Sequence, residues 1–199
     1  MAYVRPICIR CAIDAQPVRP YGAPLMITSP PPVQPTDAAP VLVLERGQDA
    51  VAVDNLIERA FGPGRLAKAA ERLREHNHPA RGLSFVALAD DKVVGCVRQW
   101  PIHIGETPAV LLGPFAVDDA WRHRGLGSDL IRRACDAAQE AGHGIILLVG
   151  DDTFFIKLGF EPIARGRVTL PGPADSRRVL WRALKAGATD GVEGRVRVG

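Results

Sequence analysis

The stretch LLGPFAVDDAWRHRGLGSDLIRRACDAAQEAGHGIILLV, residues 111–149, decides the fold. It belongs to an apolar strand running from Ala109 to Val117, which Gly113-Pro114 interrupts. Proline inside a strand pattern marks an edge, a bulge or a local break, so this strand is expected to bend in the middle. A helix is predicted from about Leu126 to Ala141. Leu126, Leu130, Ala134, Cys135, Ala138 and Ala141 share one face, and Asp129, Arg132, Arg133, Asp136 and Glu140 the other. Gly142 stands where a helix C′ residue belongs. Ile145 to Val149 is apolar throughout, the pattern of a strand covered on both faces. Strand, helix and strand of these lengths make a right-handed βαβ unit with parallel strands.

Upstream, Val41 to Glu45 reads as a short strand. Val53, Leu56, Ile57 and Ala60 recur at helical spacing, as do Leu66, Ala69, Ala70 and Leu73, with Phe61-Gly62-Pro63-Gly64 between the two helices. LSFVALA and KVVGCVRQW flank Asp90-Asp91 as an antiparallel hairpin. Downstream, a short helix is expected around Thr153 to Leu158 and two strands near Gly166 to Leu170 and Arg178 to Leu184. The fold class is α/β: a mixed, mostly antiparallel sheet with a central parallel βαβ unit and helices on both faces.

Residues 1–40 differ from the rest, with nine prolines, including Pro30-Pro31-Pro32, and no amphipathic period. Such a stretch is expected to be extended and poorly ordered. It lacks the apolar core of a secretory signal; its arginines weakly resemble a transit sequence, and a start at Met26 is a second reading. Residues 186–199 are Gly-rich and expected to form a flexible tail, which leaves 41–185 as the domain. At 199 residues, 47% apolar and 24% charged, the chain suits one core of ordinary size. A net charge of +3 does not argue for nucleic acid, and no apolar run is long enough to cross a bilayer. Cys8 and Cys11 form a lone C-x-x-C without a second pair at zinc-finger spacing, and His76 and His78 have no third ligand, so no metal is assigned. Cys96 and Cys135 fall at apolar positions, where cysteine acts as a small hydrophobe, and the expected location is the cytoplasm.

Arg122-His-Arg-Gly-Leu-Gly127 sits between the carboxyl end of a strand and the amino end of its helix. Orphan N–H groups and the helix dipole favour an anion there, glycines allow close approach, and two arginines add charge. A solvated basic turn is the plainer reading of the same residues. A P-loop signature is absent, and a dinucleotide fingerprint is damaged at Leu130, where its third glycine belongs, although Asp151 after the next strand could stand for its ribose acid. A nucleotide-binding oxidoreductase is therefore the weakest of the alternatives.

With RHRGLG (122–127) before a long helix and KLGFEP (157–162) some way downstream, the chain resembles the GNAT superfamily of N-acetyltransferases, more narrowly a bacterial subgroup of predicted acetyltransferases. The resemblance covers roughly 41–185. It implies an acetyl-CoA-dependent enzyme that passes an acetyl group to the amine of a small molecule, amino acid or peptide by direct attack. It further implies that Arg122, His123, Arg124, Gly125, Leu126, Gly127 and Ser128 hold the pyrophosphate of acetyl-CoA. Phe115, Ala116 and Val117 correspond to the strand that pairs with the pantetheine arm, splayed from Ile145 to Val149. Backbone donors near Val117 would polarise the thioester carbonyl.

One position departs from the family pattern. The general-acid tyrosine four residues before the Gly of Gly-Phe is Phe155, and the chain's tyrosines are Tyr3 and Tyr21. Two consequences compete: the thiolate, with a pKa of about 8.5, leaves unaided, or the domain is a non-catalytic acyl-CoA sensor. Glu106, His103, Asp118, Asp151 and Asp152 are the acids and imidazole near the expected cleft, and none is assigned as base. Asp151 or Asp152 is expected to cap the following helix, and Asp118 and Asp119 to lie in a solvated turn. Edge strands leave a homodimer open without marking one, and the acceptor amine is unidentified.

Overall fold

In the computed structural model, which describes residues 39–199, nine strands join one sheet. They are β1 (Val41–Leu44), β2 (Phe85–Ala89), β3 (Lys92–Ile104), β4 (Thr107–Val117), β5 (Ile145–Val149), β6 (Glu161–Pro162), β7 (Val168–Thr169), β8 (Val179–Ala183) and β9 (Gly194–Val198). The path runs β1-β2-β3-β4-β5-β8-β6, with β9 against β3 and β7 against β9. Every pair on that path is antiparallel except β4–β5, the strands of the βαβ unit. The sheet is mixed and mostly antiparallel, as the hydrophobic pattern requires.

Helices cover both faces. Alternation along the strands sends Phe85, Ala87, Val94 and Val97 to one side, under Leu130, Ile131 and Ala134 of α3 (Leu126–Glu140). Val86, Val93 and Cys96 turn to the other side, where Val53, Leu56 and Ile57 of α1 (Ala50–Phe61) meet them. Each of these helix residues is at most 2% exposed, and burial of each Val, Leu or Ile among them contributes about 1.5–3 kcal/mol. Gln99, fully buried, ties α3 to the sheet by donating to the carbonyls of Ala134 and Leu83 at 2.8 and 3.1 Å. Cys96 and Cys135 are buried free thiols, and burial pushes them up to about 12 and about 11. Neither is a nucleophile near neutral pH.

The expected second helix is shorter than its apolar spacing suggested. Pro63–Ala67 forms a 3₁₀ turn, Lys68 is extended, and only α2 (Ala69–Arg72) is α-helical. The extended backbone of Lys68 falls inside the periodic run and separates Leu66 from the helical turn that follows. The carboxy-terminal end needs a larger correction. Residues 186–199, expected to be a flexible tail, include β9, whose Val196 pairs with Ile104 and is 4% exposed. Val192 and Val196 alternate with polar residues at strand spacing and cover the sheet face that α1 leaves bare. The strand expected at 166–170 shrinks to β7 and pairs with β9. The proline-rich stretch and the Cys8–Cys11 pair lie outside the described residues, apart from Ala39 and Pro40.

Candidate active site

The site begins as a defect in the sheet. Along β3 and β4, Val97 pairs with Phe115 but Gln99 pairs with Leu112, so β4 carries one extra residue at Gly113-Pro114. This is the break the proline announced. Before the bulge, Val110 and Leu111 pair with Ile146 and Leu147 of β5; beyond it β4 and β5 form no ladder. The two parallel strands part at that point.

The ladder on the other side of β4 decides which backbone groups face the gap. The N–H of Asp118 donates to the Val94 carbonyl at 2.9 Å, which makes 118/94 a hydrogen-bonded pair. Antiparallel pairs alternate, so Ala116 also bonds to β3 while Phe115 and Val117 do not. The N–H and C=O groups of Phe115 and Val117 therefore point toward β5, into the opening. Only the Val117 carbonyl is engaged there, by Arg122 Nε at 3.4 Å.

The loop that follows is shaped for an anion. Asp118 is 5% exposed, accepts from the N–H of Ala120 and lies 3.5 Å from Arg59. It holds a 3₁₀ turn over Asp119–Trp121 and is not the solvated residue the sequence suggested. His123 and Gly125 then adopt positive φ, 61° and 83°, and turn the chain into α3. Gly125 is the N-cap and no side chain caps the helix, so the N–H groups of its first turn stay open. A Cβ at Gly125 would meet no atom within 4 Å, which leaves the space over those donors clear.

The loop, the end of β4, the end of α1 and Phe154 line one cavity of about 430 Å³. Of the residues expected to bind the cofactor, Phe115, Ala116, Val117, Arg122, His123, Gly125, Gly127 and Ser128 all face it. Arg124 and Leu126 do not. The Arg124 guanidinium stacks over Trp121, 5.4 Å from the ring centroid, and Leu126 is buried against the core. Sequence reading missed four lining residues: Ala60, Phe61, Trp121 and Phe154. Trp121 stands inside the quoted loop and was a legible candidate. Ala60 and Phe61 end a helix more than fifty residues away, and no local pattern connects them to the loop.

Phe155 lies behind this cavity, not in its wall. It is 7% exposed and packs edge-on against Phe115, Phe154 and Phe160, at 6.3, 5.0 and 5.6 Å between centroids. Among the described residues there is no tyrosine. The candidate bases are scattered. Glu106 is exposed in the β3–β4 turn and paired with Arg197 at 2.6 Å. Glu106 and nearby His103 stand at the far end of the hairpin, roughly 30 Å of extended chain from Phe115. Asp151 and Asp152 accept from the N–H of Thr153 at 3.0 and 2.8 Å, and Asp151 is the N-cap of α4 (Asp152–Phe155). His76 and His78 are exposed beyond α2.

Residues 80–162 match the model of the acetyltransferase (GNAT) domain. Over 151 residues, 74% of this chain and 89% of the relative, the sequence is 31% identical to an uncharacterized N-acetyltransferase, YhbS, of Escherichia coli strain K12. The chain belongs to the GNAT N-acetyltransferase family. The fold agrees. The crystal structure of YhbS from Escherichia coli in complex with CoA matches with a TM-score of 0.71 and 27% identity, over 83% of this chain and 94% of that one. A GNAT acetyltransferase from Brucella melitensis in complex with acetyl-CoA matches with a TM-score of 0.53 and 28% identity, over 76% and 98%. Membership in this acyltransferase family sets aside the oxidoreductase reading of the glycine loop. Position 155, where the resemblance implies a tyrosine, is Phe in this chain.

Proposed function

We propose that this GNAT enzyme binds acetyl-CoA in the cleft between β4 and β5 and transfers its acetyl group to an amine. The reading rests on one observation above all: the cleft presents unpaired backbone donors of Phe115 and Val117 in line with the open first turn of α3. The open turn, with Arg122 beside it, suits a pyrophosphate. The strand donors suit an amide-bearing arm laid along β4 as an added strand. Relatives crystallised with CoA and acetyl-CoA support the same ligand.

In this reading the amine nitrogen attacks the thioester carbonyl, a C–N bond forms, and the C–S bond breaks. The Val117 N–H stabilises negative charge developing on the carbonyl oxygen, as an oxyanion donor does. The attacking nitrogen loses its proton to solvent, and the thiolate leaves without a protein acid, since Phe155 carries no proton to give. A thiol pKa of about 8.5 makes that departure tolerable near neutral pH. A cytoplasmic location is part of the proposal, motivated by the free thiols Cys96 and Cys135.

Titration calorimetry with acetyl-CoA tests the binding, and thiol release over a panel of amines tests the transfer. Saturable one-to-one binding with amine-dependent thiol release is expected. Failure of acetyl-CoA to bind refutes the reading; binding without release from any amine class leaves the sensor.

A further inference from the structure

A second cavity of about 270 Å³ lies on the other side of the β4 bulge, lined by Leu112, Gly113 and Pro114, and shares Phe61 with the first. Its walls carry four cations, Arg65, Lys68, Arg74 and Arg178, against two carboxylates, Glu71 and Asp175. Both carboxylates are engaged. Glu71 accepts from Arg74 Nη1 at 2.5 Å and from Arg65 Nη1 at 3.3 Å. Asp175 accepts from the N–H of Arg177 at 3.0 Å and from its guanidinium at 2.8 Å.

The surplus positive charge sits beside the point where the strands part. Arg74 is 14% exposed, its Nε is buried with no partner among the described residues, and burial pulls its pKa below the ordinary guanidinium range. Its Nη2 lies 3.9 Å from where a Cβ of Gly113 would stand. Arg178 is held by Nε to the Gly150 carbonyl at 3.1 Å, and its Nη groups have no partner among the described residues. Lys68 stands over the Phe61 ring, 5.5 Å from its centroid, with no carboxylate partner among the described residues. Arg65 and Arg74 share Glu71, Lys68 and Arg178 have no carboxylate partner among the described residues, and a bound anion balances this excess of cations over carboxylates.

We infer that this cavity holds the carboxylate of the acceptor, so that the substrate is a small amine that also carries a carboxylate, as an amino acid does. The inference rests on the acetyl-transfer reading for the amine's position at the bulge. Guanidinium forks match a carboxylate in geometry as well as charge. Arg74 and Arg178 flank the bulge from the turn after α2 and from the segment before β8, so a carboxylate between them leaves its amine within reach of the cleft. Phe61, Pro114 and Val149 give the same cavity an apolar wall for the rest of a small side chain.

The test is a binding panel of matched pairs, read by thermal shift and calorimetry with and without saturating coenzyme A. Alanine is set against ethylamine, phenylalanine against phenethylamine, and tryptophan against tryptamine, with phosphoethanolamine as a phosphate arm. At least one pair is expected to favour the amino acid about tenfold or more. Arg178→Gln is expected to bring that ratio toward one, Arg178→Lys to keep part of it, and neither to change acetyl-CoA affinity more than about twofold. Three results overturn the inference: no pair preferring its carboxylate member, a preference that survives Arg178→Gln, or tighter binding of the phosphate arm. Acetyl-CoA failing to bind would instead refute the acetyl-transfer reading, and the panel without coenzyme would still report on the carboxylate.

Discussion

Phe115 and Phe154 stack across the opening between the parted strands, ring centroids 6.0 Å apart and planes 12° from parallel. Phe115 comes from β4 after its bulge, and Phe154 from α4, which follows β5. The two halves of the sheet are thus rejoined by aromatic contact where their ladder ends, and the cleft keeps its shape without backbone pairing. Gly127 lies close under this pair: a Cβ there would sit 3.1 Å from Phe115 Cζ, and the ring would have to give by a few tenths of an ångström.

The loop glycine gives the sharpest test of where a ligand sits. Gly125→Val forces a β-branched residue into positive φ at a cost of about 1–2 kcal/mol and fills the clear space over the helix start. The domain is expected to remain folded, because that space touches no core atom. Calorimetry should show acetyl-CoA affinity lower by about tenfold or more.

Restoring the family's tyrosine is expected not to restore an acid. Phe155→Tyr puts a hydroxyl into an apolar cluster behind the cavity, which costs about 1–3 kcal/mol when no partner is at hand. A lower Tm with no gain in turnover at acidic pH is the expected result. Phe154→Tyr adds its hydroxyl to a residue of the cavity wall and should cost less. Melting curves and pH–rate profiles of the two variants, side by side, make the comparison.

Gly150 is the floor on which Phe155 rests, and a Cβ there would run into the Phe155 ring and press on Leu148. Gly150→Ala should lower stability by about 1–3 kcal/mol through overpacking. The coenzyme site should weaken with it, since Phe155 supports both Phe115 and Phe154. Urea denaturation and calorimetry on the same sample separate the two effects.

Acid sensitivity has one traceable contribution at the start of α1. Arg46 donates to Asp49 from its side chain at 2.9 and 3.0 Å and from its backbone N–H at 2.8 Å, and holds that carboxyl below its ordinary 3.8. A lowered folded value means the stabilisation is complete above 3.8 and disappears as the pH falls through the folded value. Asp49→Asn should therefore cost about 1 kcal/mol at neutral pH and little in strong acid. Denaturation midpoints followed down the acid limb test this sign.

Much of the architecture is present in residue order alone. The alternation in β2 and β3, the single apolar face of α3 and the unbroken IILLV run specify a βαβ unit within a mixed sheet, because period and length suffice to choose helix or strand. Gly113-Pro114 announces the bulge, because proline withholds a ladder donor wherever it stands. RHRGLG announces an anion loop for an equally local reason: glycine backbone, cationic side chains and a helix start are adjacent in the chain. Tertiary structure decided the rest. It brought Phe61 and Phe154 to one cavity, gathered Arg65, Lys68, Arg74 and Arg178 around another, turned the carboxy-terminal residues into a strand beside β3, and buried Phe155 behind the cavity wall. Those outcomes depend on contacts between segments far apart in sequence, where packing and charge act through space and leave no local period to read.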